Sequence, residues 1–273
     1  MATEKVRALK AALAGFIPDA HLIDDPLRTL AYGTDASFYR LVPQLVVKVV
    51  SEEEVSRLLH LAAQFRTPLT FRAAGTSLSG QAITDSVLVM LEGNAWRDYA
   101  VLDDGRRIRL QPGIIGSQAN RYLAPLGRKI GPDPASIATC KIGGIAANNA
   151  SGMCCGVAQN SYQTLESMRL ILADGTLLDT SDPASREAFA ISHESLLRGL
   201  QGLVAEVRAN PALAQRIRHK FKIKNTTGYS LNALVDYSDP IDVLQHLIIG
   251  SEGTLGFIAE ITYRTVVEHA CKA

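Results

Sequence analysis

The stretch with the most chemistry in it is Arg72-Ala73-Ala74-Gly75-Thr76-Ser77-Leu78-Ser79-Gly80. It holds no acid and, after the arginine, no side chain larger than leucine. Gly75 and Gly80 free the backbone, Thr76, Ser77 and Ser79 offer hydroxyls, and successive N–H groups in such a turn can form a concave anion site. One arginine beside it suits a phosphate or pyrophosphate. The same composition describes a surface turn that is merely small and polar. These residues alone leave both readings open.

Two further runs share this character. Gly131-Pro132-Asp133-Pro134-Ala135-Ser136-Ile137-Ala138-Thr139-Cys140-Lys141-Ile142-Gly143-Gly144 continues through Ile145-Ala146-Ala147-Asn148-Asn149-Ala150-Ser151-Gly152. Its prolines fix a rigid turn, and almost every later side chain is too small to fill a core. Either something flat packs against this backbone, or a helix uses its glycines to admit a close neighbour. Two such runs in one chain favour the ligand. The third run is Gly250-Ser251-Glu252-Gly253-Thr254-Leu255-Gly256.

Familiar nucleotide and hydrolase patterns are missing. There is no G-x-x-x-x-G-K-[ST], no G-x-G-x-x-G after the first strand and no G-x-S-x-G. The six histidines show no metal-ligand spacing. The four cysteines, Cys140, Cys154, Cys155 and Cys271, contain no C-x-x-C pair, so this chain alone indicates neither a zinc nor an iron–sulfur site. Adjacent Cys154 and Cys155 fit reduced small residues in a reducing cytoplasmic setting. No catalytic residue and no metal ligand is assigned.

Composition sets the bounds. The 273 residues are 47% hydrophobic and 20% charged, ordinary for a soluble globular chain. A net charge of +1 gives no bulk electrostatic case for nucleic acid or an anionic membrane. No apolar run approaches the ~18 residues of a membrane span. Lys5, Arg7 and Lys10 precede a small apolar run, but Val6, Leu9, Leu13, Phe16 and Ile17 fall near helical spacing, which predicts an amphipathic surface helix rather than a signal peptide.

The elements that must position the three runs follow from patterning. Residues 28–40 read as a polar loop bearing Tyr32, Asp35 and Tyr39. Leu45–Val50 reads as a strand, and Ser51 with Glu54 as a capping box opening a helix whose stripe is Val55, Leu58, Leu59, Ala62 and Phe65. Leu69–Phe71 is the next strand, so the Arg72–Gly80 loop falls at its carboxyl end, where α/β sheets favour ligands. Val87–Leu91 continues the sheet. Asp-Gly hairpins are expected at 101–110 and 170–178, with a helix over Ile114–Leu126 between them and Gly127 past its end. Residues 181–220 read as helices, with a stripe through Leu196, Leu197, Leu200, Leu203, Val204 and Val207 and a solvated basic face at Arg216, Arg218 and Lys220. Lys222 and Lys224 lead into a loop, Asn225–Tyr229. A helix from Asp239-Pro240 turns Leu244, Leu247 and Ile248 inward and stops at Gly250. A last strand alternates Phe257, Ala259, Ile261 and Tyr263 with Ile258, Glu260, Thr262 and Arg264. Helices mixed with hairpins argue for an α+β fold.

The order R-A-A-G-T-S-L-S-G, P-D-P-A-S-I-A-T-C-K-I-G-G-I-A-A-N-N-A-S-G, K-N-T-T-G-Y, G-S-E-G-T-L-G-F-I resembles the FAD-binding half of FAD-linked oxidases, the vanillyl-alcohol oxidase/PCMH superfamily. Within it the chain is most similar to the D-lactate and D-2-hydroxyglutarate dehydrogenase branch, and the A-T-C-K and S-G-M-C-C segments resemble large bacterial members that carry an iron–sulfur segment farther on. The likeness spans about residues 28–267. It implies a PCMH-type fold of two α+β subdomains with FAD between them: a lead-in over 1–40, the first subdomain over 41–110, the second over 111–267, and at 268–273 the start of a link to a substrate half that the chain is expected to lack. That half would supply the substrate carboxylate anchor and the base, so the implied partners are a small 2-hydroxy acid and a downstream electron acceptor or iron–sulfur segment.

The resemblance also assigns roles. Arg72 and the Ala73, Ala74, Gly75, Thr76, Ser77, Leu78 loop would hold the pyrophosphate. Pro112 and Gly113, with Pro132, Asp133, Ser136, Gly143, Gly144, Ala147, Asn148, Ser151 and Gly152, would line the flavin and its ribityl chain. Glu252 and Gly253 would close the site, and Ile258 would meet the adenine end by its backbone. Some relatives bind flavin covalently through a histidine just after the loop's glycine; Thr76 stands there, which implies non-covalent FAD. Lys141 and Lys224 are placed where they could face the flavin, but solvent exposure is the expectation for each. Two other readings share the fold: a reductase of the UDP-N-acetylenolpyruvoylglucosamine type, against which the D-lactate-like motifs count, and a non-catalytic FAD-carrying subunit.

Overall fold

The computed structural model describes residues 2–269; Cys271 and the expected link beyond His269 lie outside them. The first sheet contains β1 (Leu22–Ile23), β2 (Leu45–Val49), β3 (Leu69–Arg72) and β4 (Val87–Leu91) in the order β1-β2-β4-β3. Both β2 and β3 pair with β4 in parallel, and β1 joins β2 antiparallel. The β2–helix–β3 unit read from the sequence is present, with β4 inserted between its strands. Strands β2 and β4 are apolar on both faces because both faces are covered. Leu45, Val47, Val49, Val87 and Val89 pack beneath the helices Glu4–Leu13 and Glu52–Gln64, while Val46 and Leu88 pack with Ile23 and Tyr32 on the other side.

The helix starts are local chemistry. Ser51 Oγ accepts from the Glu54 N–H at 3.2 Å, but the reciprocal arm reaches one residue farther back than a capping box requires, Glu54 Oε2 accepting from Val50 N–H at 2.7 Å. The loop expected at 28–40 begins as a short helix, Pro26–Ala31, capped by Asp25.

The second sheet runs β5 (Tyr99–Leu102), β6 (Arg107–Leu110), β10 (Phe257–Val267), β8 (Leu165–Ile171), β9 (Leu177–Asp179), with β7 (Arg128–Ile130) on the far end of β10. Both Asp-Gly hairpins form as expected. Sheet membership shifts the expected subdomain boundary. The Tyr99–Leu110 hairpin belongs to the second sheet, because β6 pairs with β10, and β1 from the lead-in belongs to the first.

The central strand β10 does not keep the simple alternation read from the sequence. A register shift between Ile258 and Glu260 sends Phe257 and Ala259 to the core of the first unit, and Ile258, Ile261 and Tyr263 to that of the second. The helices Pro183–Ser192, Glu194–Ala209, Pro211–Lys220 and Pro240–Ile248 cover the outer side. Leu197, Leu200, Val204 and Val207 are buried there, Leu196 and Leu203 lie on the exposed flank, and Arg216, Arg218 and Lys220 face solvent. No helix of the described residues is long and apolar enough to cross a membrane.

The two units are fastened at one side by Arg169 of β8. It donates to Glu52 at 3.0 and 2.6 Å and to Asp179 at 3.0 Å. Trp96 fills the junction: its indole donates to the Val49 carbonyl at 2.8 Å and its ring meets Phe257 edge-on, 5.2 Å between centroids. Glu52 and Arg169 are each about one-third exposed, so solvent screening limits their coupling. A double-mutant cycle of Glu52→Ala and Arg169→Ala, read by urea unfolding, is expected to give a coupling of about 1 kcal/mol.

Candidate cofactor-binding site

A cavity of about 700 Å³ opens at the carboxyl ends of β3 and β4, bounded on its other side by the helix Ile142–Asn148 and the Gly250–Gly256 turn. That volume lies within the roughly 300–1,000 Å³ usual for small-molecule and cofactor sites. The Arg72–Ser79 loop forms one wall. Gly75 takes φ +69°, a left-handed conformation open to glycine, and its carbonyl accepts from Ala36 N–H at 3.0 Å. Ser77 bonds the Gln81 side chain and accepts from Ser79 N–H at 3.1 Å, which shapes the turn.

Arg72 lines the cavity and also carries hydrogen bonds to the protein. It is 7% exposed, with Nε donating to the Ala82 carbonyl at 2.7 Å and Nη2 to the Tyr32 carbonyl at 2.9 Å. Burial pulls its pKa below the ordinary value, against the attraction of Asp35. Two arms of the guanidinium thus brace the loop at the edge of the cavity.

The helix Ile142–Asn148 supplies the opposite wall, and both readings of its glycines apply. A Cβ on Gly143 would stand 2.8 Å from Pro112 Cβ, so the helix rests on Pro112; one on Gly144 would stand 3.4 Å from Ala73 Cβ, across the seam. Ala147, Asn148, Ser136, Ser151, Gly253 and Ile258 also face the cavity. Four expected lining residues, Gly113, Pro132, Asp133 and Gly152, stand behind the wall instead. A Cβ on Gly113 would meet the Trp96 carbonyl at 2.6 Å, and one on Gly152 the Asp133 carbonyl at 2.0 Å. Asp133 Oδ1 accepts from the Gly152 and Cys155 N–H groups at 3.0 and 3.2 Å, while Pro132 is buried. These residues shape the loop that carries Ser151.

Glu252 ties the walls together. It sits at φ +55°, and its N–H donates to the Ala147 carbonyl at 2.8 Å. Its Oε1 accepts from Asn148 Nδ2 at 2.5 Å on one wall and from Gln81 Nε2 at 3.4 Å on the other. Burial raises its pKa, and the two hydrogen bonds partly offset this.

Sequence reasoning missed Gln81, Thr226 and Thr227, and the exposure of Lys141. Lys141 is half-buried on the cavity wall, not solvent-exposed as expected, and burial followed by the charge of Arg97 lowers its pKa. Lys224 is exposed, yet it also lines the cavity, donating to the Ser151 carbonyl at 2.6 Å. The only available signal was position, since each lysine borders a small-residue run. Cys140, Cys154 and Cys155 are free thiols, with Cys154 exposed.

A wall of bare backbone with hydroxyls at its edges suits a planar ring. Three cations, Arg72, Lys141 and Lys224, against one satisfied carboxylate among the described lining residues suit a dianion. The residues therefore fit a flavin dinucleotide.

Such a two-sheet α+β scaffold around a backbone-walled cavity defines a PCMH-type FAD-binding fold. The chain belongs to the FAD binding domain family, whose model matches residues 43–181, and FAD is its cofactor. It is 28% identical over 243 residues to D-2-hydroxyglutarate dehydrogenase of Escherichia coli (strain K12), covering 85% of this chain and 23% of that one. Against the glycolate oxidase subunit GlcD of the same strain the identity is 28%, over 82% of this chain and 46% of the other. The D-lactate dehydrogenase of Archaeoglobus fulgidus is 26% identical over 81% and 38%. The chain thus spans less than half the length of these relatives. Among solved structures, alkyldihydroxyacetonephosphate synthase superposes with a TM-score of 0.62 at 19% identity over 97% of this chain and 41% of that one. Chitooligosaccharide oxidase gives 0.58 at 14% over 97% and 44%. These two share the fold.

Folding raises the Glu252 pKa, so the stability associated with its protonated form is present at low pH. It is lost as pH climbs from the ordinary value near 4.5 through the raised one. Glu252→Gln keeps an acceptor for Asn148 and Gln81 without that loss. Its stability gain over wild type should be absent at acidic pH and grow to a plateau toward neutrality, measured as the difference in urea midpoint across pH.

Proposed function

We propose that this chain is the FAD-binding half of an oxidoreductase that oxidises a D-2-hydroxy acid of the lactate or 2-hydroxyglutarate type. The observation that carries the reading is the continuous small-residue wall, from Ala73 through Gly144 to Gly253, joined across the cavity by Glu252. Three relatives whose names specify dehydrogenation or oxidation of hydroxy acids support the substrate class. When bound, FAD supplies a hydride acceptor at the flavin N5 and passes the electrons on.

The chain's own residues bind and orient. The Ala73–Leu78 backbone holds the diphosphate, and Gly143, Gly144 and Ala147 let the helix backbone approach the ring. Ser136 and Ser151 would present hydroxyls, Glu252 and Gly253 would close the seam, and Ile258 would meet the adenine end by its backbone. A substrate half of the kind that the longer relatives have room for would supply the substrate anchor and the base, and an acceptor or an iron–sulfur segment would take the electrons. With Thr76 in the loop, FAD is held without a covalent bond. The setting is cytoplasmic.

Trp96 is the single tryptophan and its ring meets Phe257, which lines the cavity. Titration with FAD should therefore quench tryptophan emission to a 1:1 endpoint. Gly144→Leu, which fills the space beside Ala73, should weaken binding about tenfold or more while circular dichroism stays unchanged. Acid precipitation should release all the flavin; retention on the protein would contradict non-covalent binding. In the protein expressed from its native reading frame, anaerobic D-lactate or D-2-hydroxyglutarate should bleach the visible flavin band. Failure of both acids to do so would overturn the substrate class.

A further inference from the structure

We propose that Lys141 is the side-chain counter-charge for the diphosphate of the bound dinucleotide, acting beside the backbone cradle of Ala73–Leu78. The proposal rests on the FAD reading above and extends it to a residue outside the expected cofactor-binding set. Lys141 occupies the N-cap position of the helix Ile142–Asn148, in extended backbone, and lines the same cavity as the cradle. The helix that it opens brings Gly144 against Ala73, the residue at which the cradle begins.

Its ammonium has no hydrogen-bond or ion-pair partner among the described residues. Glu92, an acid near enough to attract it, is paired with Lys48 at 2.9 Å, and Arg97 adds a like charge. A half-buried cation without a counter-ion is unfavourable, and burial accordingly favours its neutral form. An anion delivered by a ligand reverses that balance.

The other charged groups on the cavity wall each hold hydrogen bonds within the protein. Arg72 donates to two backbone carbonyls and Lys224 to the Ser151 carbonyl, and the Glu252 carboxylate accepts from Asn148 and Gln81. A diphosphate drawn from water into this cavity meets backbone N–H groups and, in Lys141, an ammonium with no protein hydrogen-bond partner among the described residues. A lysine suits that task as a point charge that needs no bidentate geometry.

The test is calorimetric titration of wild type, Lys141→Met and Lys141→Arg with FAD, ADP, riboflavin and adenosine. Lys141→Met should weaken FAD and ADP about tenfold or more and leave riboflavin and adenosine unchanged. Lys141→Arg should restore most of the loss, and the salt dependence of FAD binding should be shallower in the methionine variant. Circular dichroism checks the fold, and Lys141→Gln takes the place of the methionine variant if that one is not folded. Unchanged FAD and ADP affinity would overturn the proposal alone, as would an equal loss for riboflavin or adenosine. Wild-type protein that binds no FAD would overturn the cofactor reading first and this proposal with it.

Discussion

The Glu252 carboxylate is the point at which this structure either closes or falls apart as a site. One oxygen receives Gln81 from the loop of the first sheet and Asn148 from the helix beside the second. Its own N–H is anchored on the Ala147 carbonyl, so backbone and side chain pull on the same helix. The residue adopts a left-handed conformation that costs a non-glycine about 1 kcal/mol, and the surrounding hydrogen bonds over-determine it. Arg169 and Glu52 do the corresponding job away from the cavity, and Trp96 fills the space between.

That closure explains the composition of the walls. Two units can approach a flat ligand only where neither presents a side chain larger than a methyl, so the seam is built from Ala73, Gly144 and Ala147. Bare backbone creates its own difficulty, since each N–H and carbonyl needs a partner. The chain meets this from behind the wall. Asp133 collects the N–H groups of Gly152 and Cys155, and Gly143 and Ile142 donate to the Pro112 and Ile114 carbonyls. The glycines that looked like ligand contacts thus divide into two sets. Gly75, Gly143, Gly144 and Gly253 reach the cavity; Gly113 and Gly152 are small because backbone lies directly against them.

Charge follows the same division. The loop arginine that invites a phosphate in the sequence also braces the Tyr32 and Ala82 carbonyls, and it shares the cavity wall with the cations Lys141 and Lys224. Burying a guanidinium against a loop satisfies two carbonyls at once and holds the turn rigid, which a mobile lysine would not do.

Local patterning in the sequence was enough for much of the scaffold. The Glu4–Leu13 helix, the Ser51-capped helix, both Asp-Gly hairpins and the apolar runs of β2 and β4 are each specified by residues close in the chain, where periodicity and turn chemistry act. Motif order, read as a family resemblance, also pointed to FAD and to three small-residue runs at one site. Tertiary structure decided what depends on residues far apart. It placed β4 between β2 and β3, moved the Tyr99–Leu110 hairpin into the second sheet, and broke the alternation of β10 at Ile258/Glu260. It also decided that Arg72 braces two carbonyls at the cavity edge and that Lys141 is half-buried on the same wall. A residue type reports which bonds a side chain is able to make, but which it makes is set by the neighbours that folding brings to it, and those lie on other elements.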